Sequence, residues 1–174
     1  QIGWKIGEIE AIACAVGPGS FAALRVGIST AKGLAFSTGA KTVAVNTLEA
    51  LALPFGFGDR KIVPVLDAKK GEVYAAFFEG DGEGGVRRKS EDLVLTPEKL
   101  ADRIEPGMLL LGEGAVRYET VFREENSSGI LFAPRHLCYH RGGSTAALGG
   151  RKLARGEHSQ SLQPNYLRPP DAVE

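Results

Sequence analysis

Residues 9–16 are apolar at every position except Glu10, and they run into the turn Gly17-Pro18-Gly19-Ser20. Apolar positions without alternation predict a strand buried on both faces, as in a parallel sheet. Ser20 is placed to cap a helix, its hydroxyl accepting from first-turn N–H groups. Gly39 is placed to stop that helix in the left-handed conformation. Between them the pattern predicts a helix over 21–37. Ala23, Gly27, Ala31 and Ala35 recur every four residues along it, leaving one face almost bare of side chains. Gly27 and Gly33 each weaken an isolated helix by about 1 kcal/mol. Close packing, or something the chain binds, must offset them.

A short strand at 42–45 then completes a β-α-β unit with a right-handed crossover. A second helix over 47–53 halts at Pro54, and the glycine-rich stretch 55–59 reads as a hinge. Strands at 62–67 and 73–78 flank the turn 68–71 as a β-hairpin. A turn at 80–85 leads to a polar edge-like strand ending near Leu95. Thr96 caps a third helix, with Pro97 at its first position, where a missing N–H costs nothing. A buried strand at 108–111, a turn at 112–114 into a helix running to about Arg123, and a short strand at 130–133 follow. Ser144 is read as the cap of a last helix to Arg155, and the proline-rich tail 163–170 as extended. The order is α/β in a first lobe, residues 1–57, then a β-meander with helices in a second, residues 58–174. The first lobe reads as incomplete at its N-terminus, because a strand apolar on both faces wants more sheet neighbours than 42–45 offers.

Composition narrows the function classes. The 174 residues carry 21 Lys plus Arg against 21 Asp plus Glu, which argues against a strongly basic nucleic-acid binder and leaves room only for a local patch. Two cysteines, Cys14 and Cys138, imply no disulfide framework and favour a reducing compartment. No apolar run reaches membrane-spanning length and no secretory signal is recognisable, so a soluble, cytoplasmic protein with no membrane partner is expected.

Three places invite chemistry. Gly17-Pro18-Gly19-Ser20-Phe21-Ala22 fits the loose dinucleotide pattern GxGxxA between strand and helix, and helix N-termini hold phosphate. Against it, Pro18 lacks an N–H donor and Asn46 stands where a ribose-binding acid belongs; a purely structural turn is the plainer reading. Asp67 followed by Lys69, Lys70 and Gly71 resembles a phosphate-binding corner, or else a solvated hairpin tip. Gly17, Gly19, Ser20, Asp67, Lys69 and Lys70 are therefore candidate phosphate contacts. His136 and His140 sit four apart with Cys138 between, as zinc would require on a helix, but Pro134 and Gly142-Gly143 argue against a helix there, so no metal site is assigned. No nucleophile–base pair stands out, and no catalytic residue or cofactor is assigned.

Three blocks carry a resemblance. The stretch 15–36, AVGPGSFAALRVGISTAKGLAF, closely resembles the signature of the bacterial TsaB (YeaZ) family. The stretch 67–77, DAKKGEVYAAF, and the ending 164–171, PNYLRPPD, are similar to two further blocks of that family. The family usually has Thr-Gly where Ala22-Ala23 stand. The resemblance implies an actin/hexokinase-like (ribonuclease H-like) two-lobe α/β fold whose nucleotide site has decayed. It implies a non-catalytic partner of the TsaD-type subunit that forms threonylcarbamoyladenosine in tRNA, with a TsaE-type ATPase, tRNA and a second copy as further partners. An old label for the group is M22 glycoprotease. It also implies that the helix over 21–36 is the contact element, with Ala23, Leu24, Gly27, Ile28, Ala31, Lys32 and Ala35 as contact positions. The alternatives left open are a nucleotide-binding enzyme using the turn at 17–20, and a metalloprotease.

Overall fold

The computed structural model describes residues 3, 5–125, 129–158 and 161–168. Strand β1 (Ala11–Gly17) pairs in parallel with β2 (Lys41–Asn46), Ala13 beside Val43 and Ala15 beside Val45. Helix α1 (Phe21–Thr38) crosses between them. It starts at Ser20, but the Ser20 side chain makes no capping hydrogen bond, contrary to expectation. It stops at Gly39 with φ 75°, as the sequence predicts. Side chains alternate across a strand, and both faces of β1 are used. Ile12, Cys14 and Val16 meet Ile28 and Ala31 of α1. Ala13 on the other face meets Val45, Ala50 and Leu148, the last on α6 (Gly142–Ala154). That helix begins two residues before Ser144, so the expected cap lies inside its first turn.

The second sheet is built on β3 (Lys61–Lys69), whose run Ile62–Leu66 is buried. It pairs antiparallel with β4 (Glu72–Ala75) and, in the same register, β5 (Phe78–Gly80). The expected single strand is thus interrupted at Ala76 and Phe77, where the Phe77 N–H donates to Ser90 Oγ at 2.9 Å. Strands β6 (Val86–Arg88) and β7 (Leu93–Leu95) flank β5 and β4. On the far side β8 (Leu109–Leu111) runs parallel to β3, and β9 (Leu131–Phe132) parallel to β8. Thr96 Oγ1 accepts from the Lys99 N–H to cap α3 (Pro97–Ala101). The single helix expected after a turn at 112–114 is two, α4 (Glu113–Arg117) and α5 (Glu119–Glu125), broken at Tyr118.

The cores do not respect a boundary at residue 57. Helix α2 (Thr47–Ala52) places Leu48 and Leu51 against Ile62, Phe78 and Leu111 of the second sheet, while α6 returns to cover the first. The stretch read as a hinge is wedged rather than loose: a Cβ at Gly56 would stand 2.1 Å from the Gly85 carbonyl oxygen, and one at Gly80 2.3 Å from that of Gly58. Backbone meets backbone there, and only glycine permits it.

Candidate functional site

The turn at 17–20 lies at the carboxyl ends of β1 and β2, the position where open parallel sheets receive ligands. Facing it is the tip of the β3–β4 hairpin, residues 67–71, where Lys69, Lys70 and Gly71 all have positive φ. Between them is a cleft of about 880 Å³, lined among others by Gly19, Ser20, Asp67, Lys69 and Lys70. Folding thus brings together two groups of candidate phosphate residues that lie far apart in sequence. Gly17 stands behind the cleft: its φ is 130°, and a Cβ there would meet the Asn165 carbonyl oxygen at 2.5 Å.

Asp67 is an anchor for the tip. Its Oδ1 accepts from the Lys69 N–H at 2.9 Å and its Oδ2 from Lys69 Nζ at 2.8 Å, with Arg117 at 3.3 Å. Burial pushes this carboxyl upward, but the Lys69 hydrogen bonds and the Lys69 and Arg117 charges outweigh it and hold the pKa below the usual carboxylate value. Lys69 is held above its ordinary value, chiefly by the Asp67 hydrogen bond and charge.

One wall of the cleft comes from within the stretch 163–170, which the sequence predicts only as extended. Leu162 is fully buried in the core beneath α1. The Asn165 N–H donates to the Val16 carbonyl at 2.7 Å, and Tyr166 stacks on Phe21 with centroids 5.0 Å apart. Arg168 pairs with Glu72 and donates to the Ala68 carbonyl at 3.4 Å, so the segment ties the first sheet to the hairpin. Asp92 ties it again, accepting from Asn165 at 3.1 Å, Asn46 at 2.6 Å and Arg88 at 2.6 Å. Residues 169–171 of the third resemblance block lie outside the described residues. His136 belongs to a single 3-10 turn (Arg135–Leu137) and His140 to the loop after it, so the two do not share a helix face. Cys138 between them is buried, its Sγ donating to the Ala133 carbonyl.

The second surface is the outside of α1. Leu24, Ile28 and Ala31 are buried against the chain's own first sheet, and Ala35 is half-buried. The expected contact set is corrected here: the four-residue ladder winds from solvent into the core, because a strict four-residue spacing drifts around a helix of 3.6 residues per turn. Ala23 and Gly27 border the cleft, and Lys32 borders a smaller groove beside Tyr166. The face turned to solvent carries Ala22, Val26, Ser29, Gly33 and Phe36, with Val26 68% and Phe36 94% exposed. Cβ atoms built at Gly27 and Gly33 would meet nothing within 4 Å.

This sheet, helix and cleft arrangement is an actin/ATPase-like α/β fold, and residues 1–133 match the family model described as TsaD, tRNA N6-adenosine threonylcarbamoyltransferase. A crystal structure from Pseudomonas aeruginosa, titled an uncharacterized protein with similarity to peptidase YEAZ, superposes with TM-score 0.79 at 26% identity, covering 95% of this chain and 77% of that one. A TsaB biosynthesis protein of Bacillus subtilis is 30% identical over 165 residues, 92% of this chain and 70% of its own length. That of Escherichia coli is 33% identical over 105 residues, 59% of this chain and 46% of its own length. The chain belongs to the TsaB family of tRNA threonylcarbamoyladenosine biosynthesis proteins. The matched part spans about half the length of the E. coli relative. No helix among the described residues is long and apolar enough to cross a membrane.

Proposed function

We propose that this chain is a non-catalytic subunit of the threonylcarbamoyladenosine-forming machinery, binding and steadying a TsaD-type catalytic protein through the solvent face of α1. The observation that carries the reading is Gly33. It costs helix stability, and a Cβ there would meet nothing within 4 Å inside the chain. A close neighbour outside the chain would account for the cost, since small residues let helix backbones approach. Exposed Val26 and Phe36 supply apolar area on the same side. A second copy of the chain would use the same face, in competition with the catalytic protein. Contacts with a TsaE-type ATPase and with tRNA belong to the assembled complex.

Co-purification with the TsaD-type protein of the same organism tests this. The chain is expected to hold that protein in a stable complex, and Gly33→Leu to abolish the complex while leaving the chain's own melting temperature within a few degrees. Absence of a complex with the unaltered chain, or an undiminished one with Gly33→Leu and Val26→Asp, would refute it. Sedimentation of the unaltered chain, alone and with the catalytic protein added, separates the homodimer from the heteromeric contact.

A further inference from the structure

The smaller groove beside Tyr166, about 400 Å³, lies between α1 and the returning stretch 161–168. Its α1 wall is the stripe Phe21, Arg25, Ile28 and Lys32, spaced three or four residues apart and therefore on one side of the helix. Its other wall is Pro164 and Tyr166. Both walls lack negative charge. The 18 residues of α1 include Arg25 and Lys32 but no Asp or Glu, and residues 161–168 include none either. The imbalance is local, since the whole chain carries 21 charges of each sign. Among the described residues neither Arg25 nor Lys32 forms an ion pair. Arg25 lies instead over the Phe21 ring, 5.0 Å from its centroid, and that ring stacks on Tyr166. The stack holds the guanidinium on an aromatic floor, so less rotamer freedom is lost when an anion arrives.

We infer that this groove receives a carboxylate-bearing helix of the catalytic protein, one acidic side chain on Arg25 and another on Lys32. This depends on α1 being the contact helix and adds the chemistry of what lies on it. The two cations are two helical turns apart, about 10 Å along the axis at about 1.5 Å per residue. Two turns of an opposing helix cover the same distance, so carboxylates at that spacing reach both. Buried Ile28 lies between the cations on the stripe, and exposed Val26 and Phe36 lie on the neighbouring face. Ions in this position flank an apolar contact, as charges beside the seam of paired helices do. A nucleic-acid strand is the poorer match, because its phosphates repeat about every 3.4 Å and two such cations leave most of them unpaired. Charges so placed speed encounter and fix register more than they add raw affinity. Gly33 then sets how near the partner comes, and Arg25 with Lys32 sets where along α1 it stops.

Stopped-flow association of the full chain with the catalytic protein, at low and at about tenfold higher salt, tests this. Raising the salt is expected to slow association about tenfold while changing dissociation far less. Arg25→Glu with Lys32→Glu should weaken the complex about a hundredfold at low salt and reverse the direction of the salt effect. Neither change breaks an ion pair among the described residues, so the melting temperature should stay within a few degrees. Arg25→Lys keeps the charge but loses the planar fork, and should retain the salt dependence with a loss of about threefold. Carbodiimide joins an ammonium to a carboxylate in direct contact. It should link Lys32 to an Asp or Glu of the catalytic protein, a link absent from Lys32→Gln. The proposal falls if association ignores salt, if the double reversal binds like the unaltered chain, or if Lys32 links to no carboxylate. In each of these cases the complex still forms, so the subunit reading stands. No complex at either salt refutes the subunit reading and this groove's role with it. If the double reversal releases a short single-stranded RNA but not the catalytic protein, the cations are RNA-backbone contacts and the proposal falls.

Discussion

Helices α1 and α6 cover opposite faces of one two-stranded sheet, and both carry glycines where a good helix former would serve. The reason differs between them. On α6, Gly149 lies so close to β1 that a Cβ would stand 2.3 Å from the Cβ of Ala13. Its cost is repaid inside the chain, by an approach that lets Leu148 and Lys152 reach the sheet; Lys152 Nζ donates to the Ala44 carbonyl at 3.2 Å. On α1, Gly27 and Gly33 open onto space, while Leu24, Ile28 and Ala31 do the packing. A helical glycine is thus no signal by itself: Gly149 allows a close approach within the chain, while Gly33 and Gly150 meet nothing in it.

The sharpest way to break the contrast is at Gly149. Gly149→Ala is expected to destabilise the chain by about 3 kcal/mol, at the upper end of overpacking, because the clash is with a strand side chain that cannot rotate away. Moving the methyl across the contact, in Gly149→Ala with Ala13→Gly, should recover most of that loss in urea unfolding. Non-recovery would mean that backbone, not the methyl, sets the distance. Next in size are the packing residues themselves. Ile28→Ala under α1 and Leu148→Ala under α6 should each cost about 2–4 kcal/mol, since both side chains are buried. If Ile28→Ala costs under about 1 kcal/mol, α1 is not anchored to the first sheet as described.

How much of this was legible beforehand follows from what each interaction needs. The β1–α1–β2 unit was readable because a short apolar run, a turn and a Gly stop act locally. The hairpin over 62–78 was readable for the same reason, except for the break at Ala76 and Phe77. Which side of α1 faces inward was not, since a ladder of small residues fits either a core or an interface until a neighbour is placed. The cleft was half legible: the turn at 17–20 and Asp67, Lys69 and Lys70 drew notice separately, but nothing local says that they face each other. The role of residues 161–168 rests on single contacts, Leu162 in the core and Asn165 on Val16, at separations that no periodicity reveals.

The smallest expected effect separates the two helices most cleanly. Gly27→Ala and Gly33→Ala should each stabilise the isolated chain by up to about 1 kcal/mol, because alanine is the better helix former and its methyl meets nothing. Gly150 on α6, whose Cβ would also meet nothing within 4 Å, is the control. Gly150→Ala should give a similar gain, read as a rise of a few degrees in melting temperature. The substitutions then part company when the catalytic protein is added. If α1 is a contact helix, the gain at Gly33 turns into a loss of affinity, while Gly150→Ala leaves affinity untouched. A glycine that is merely tolerated would yield the stability gain at no cost in binding at both positions, and α1 would then differ from α6 only in being less well packed.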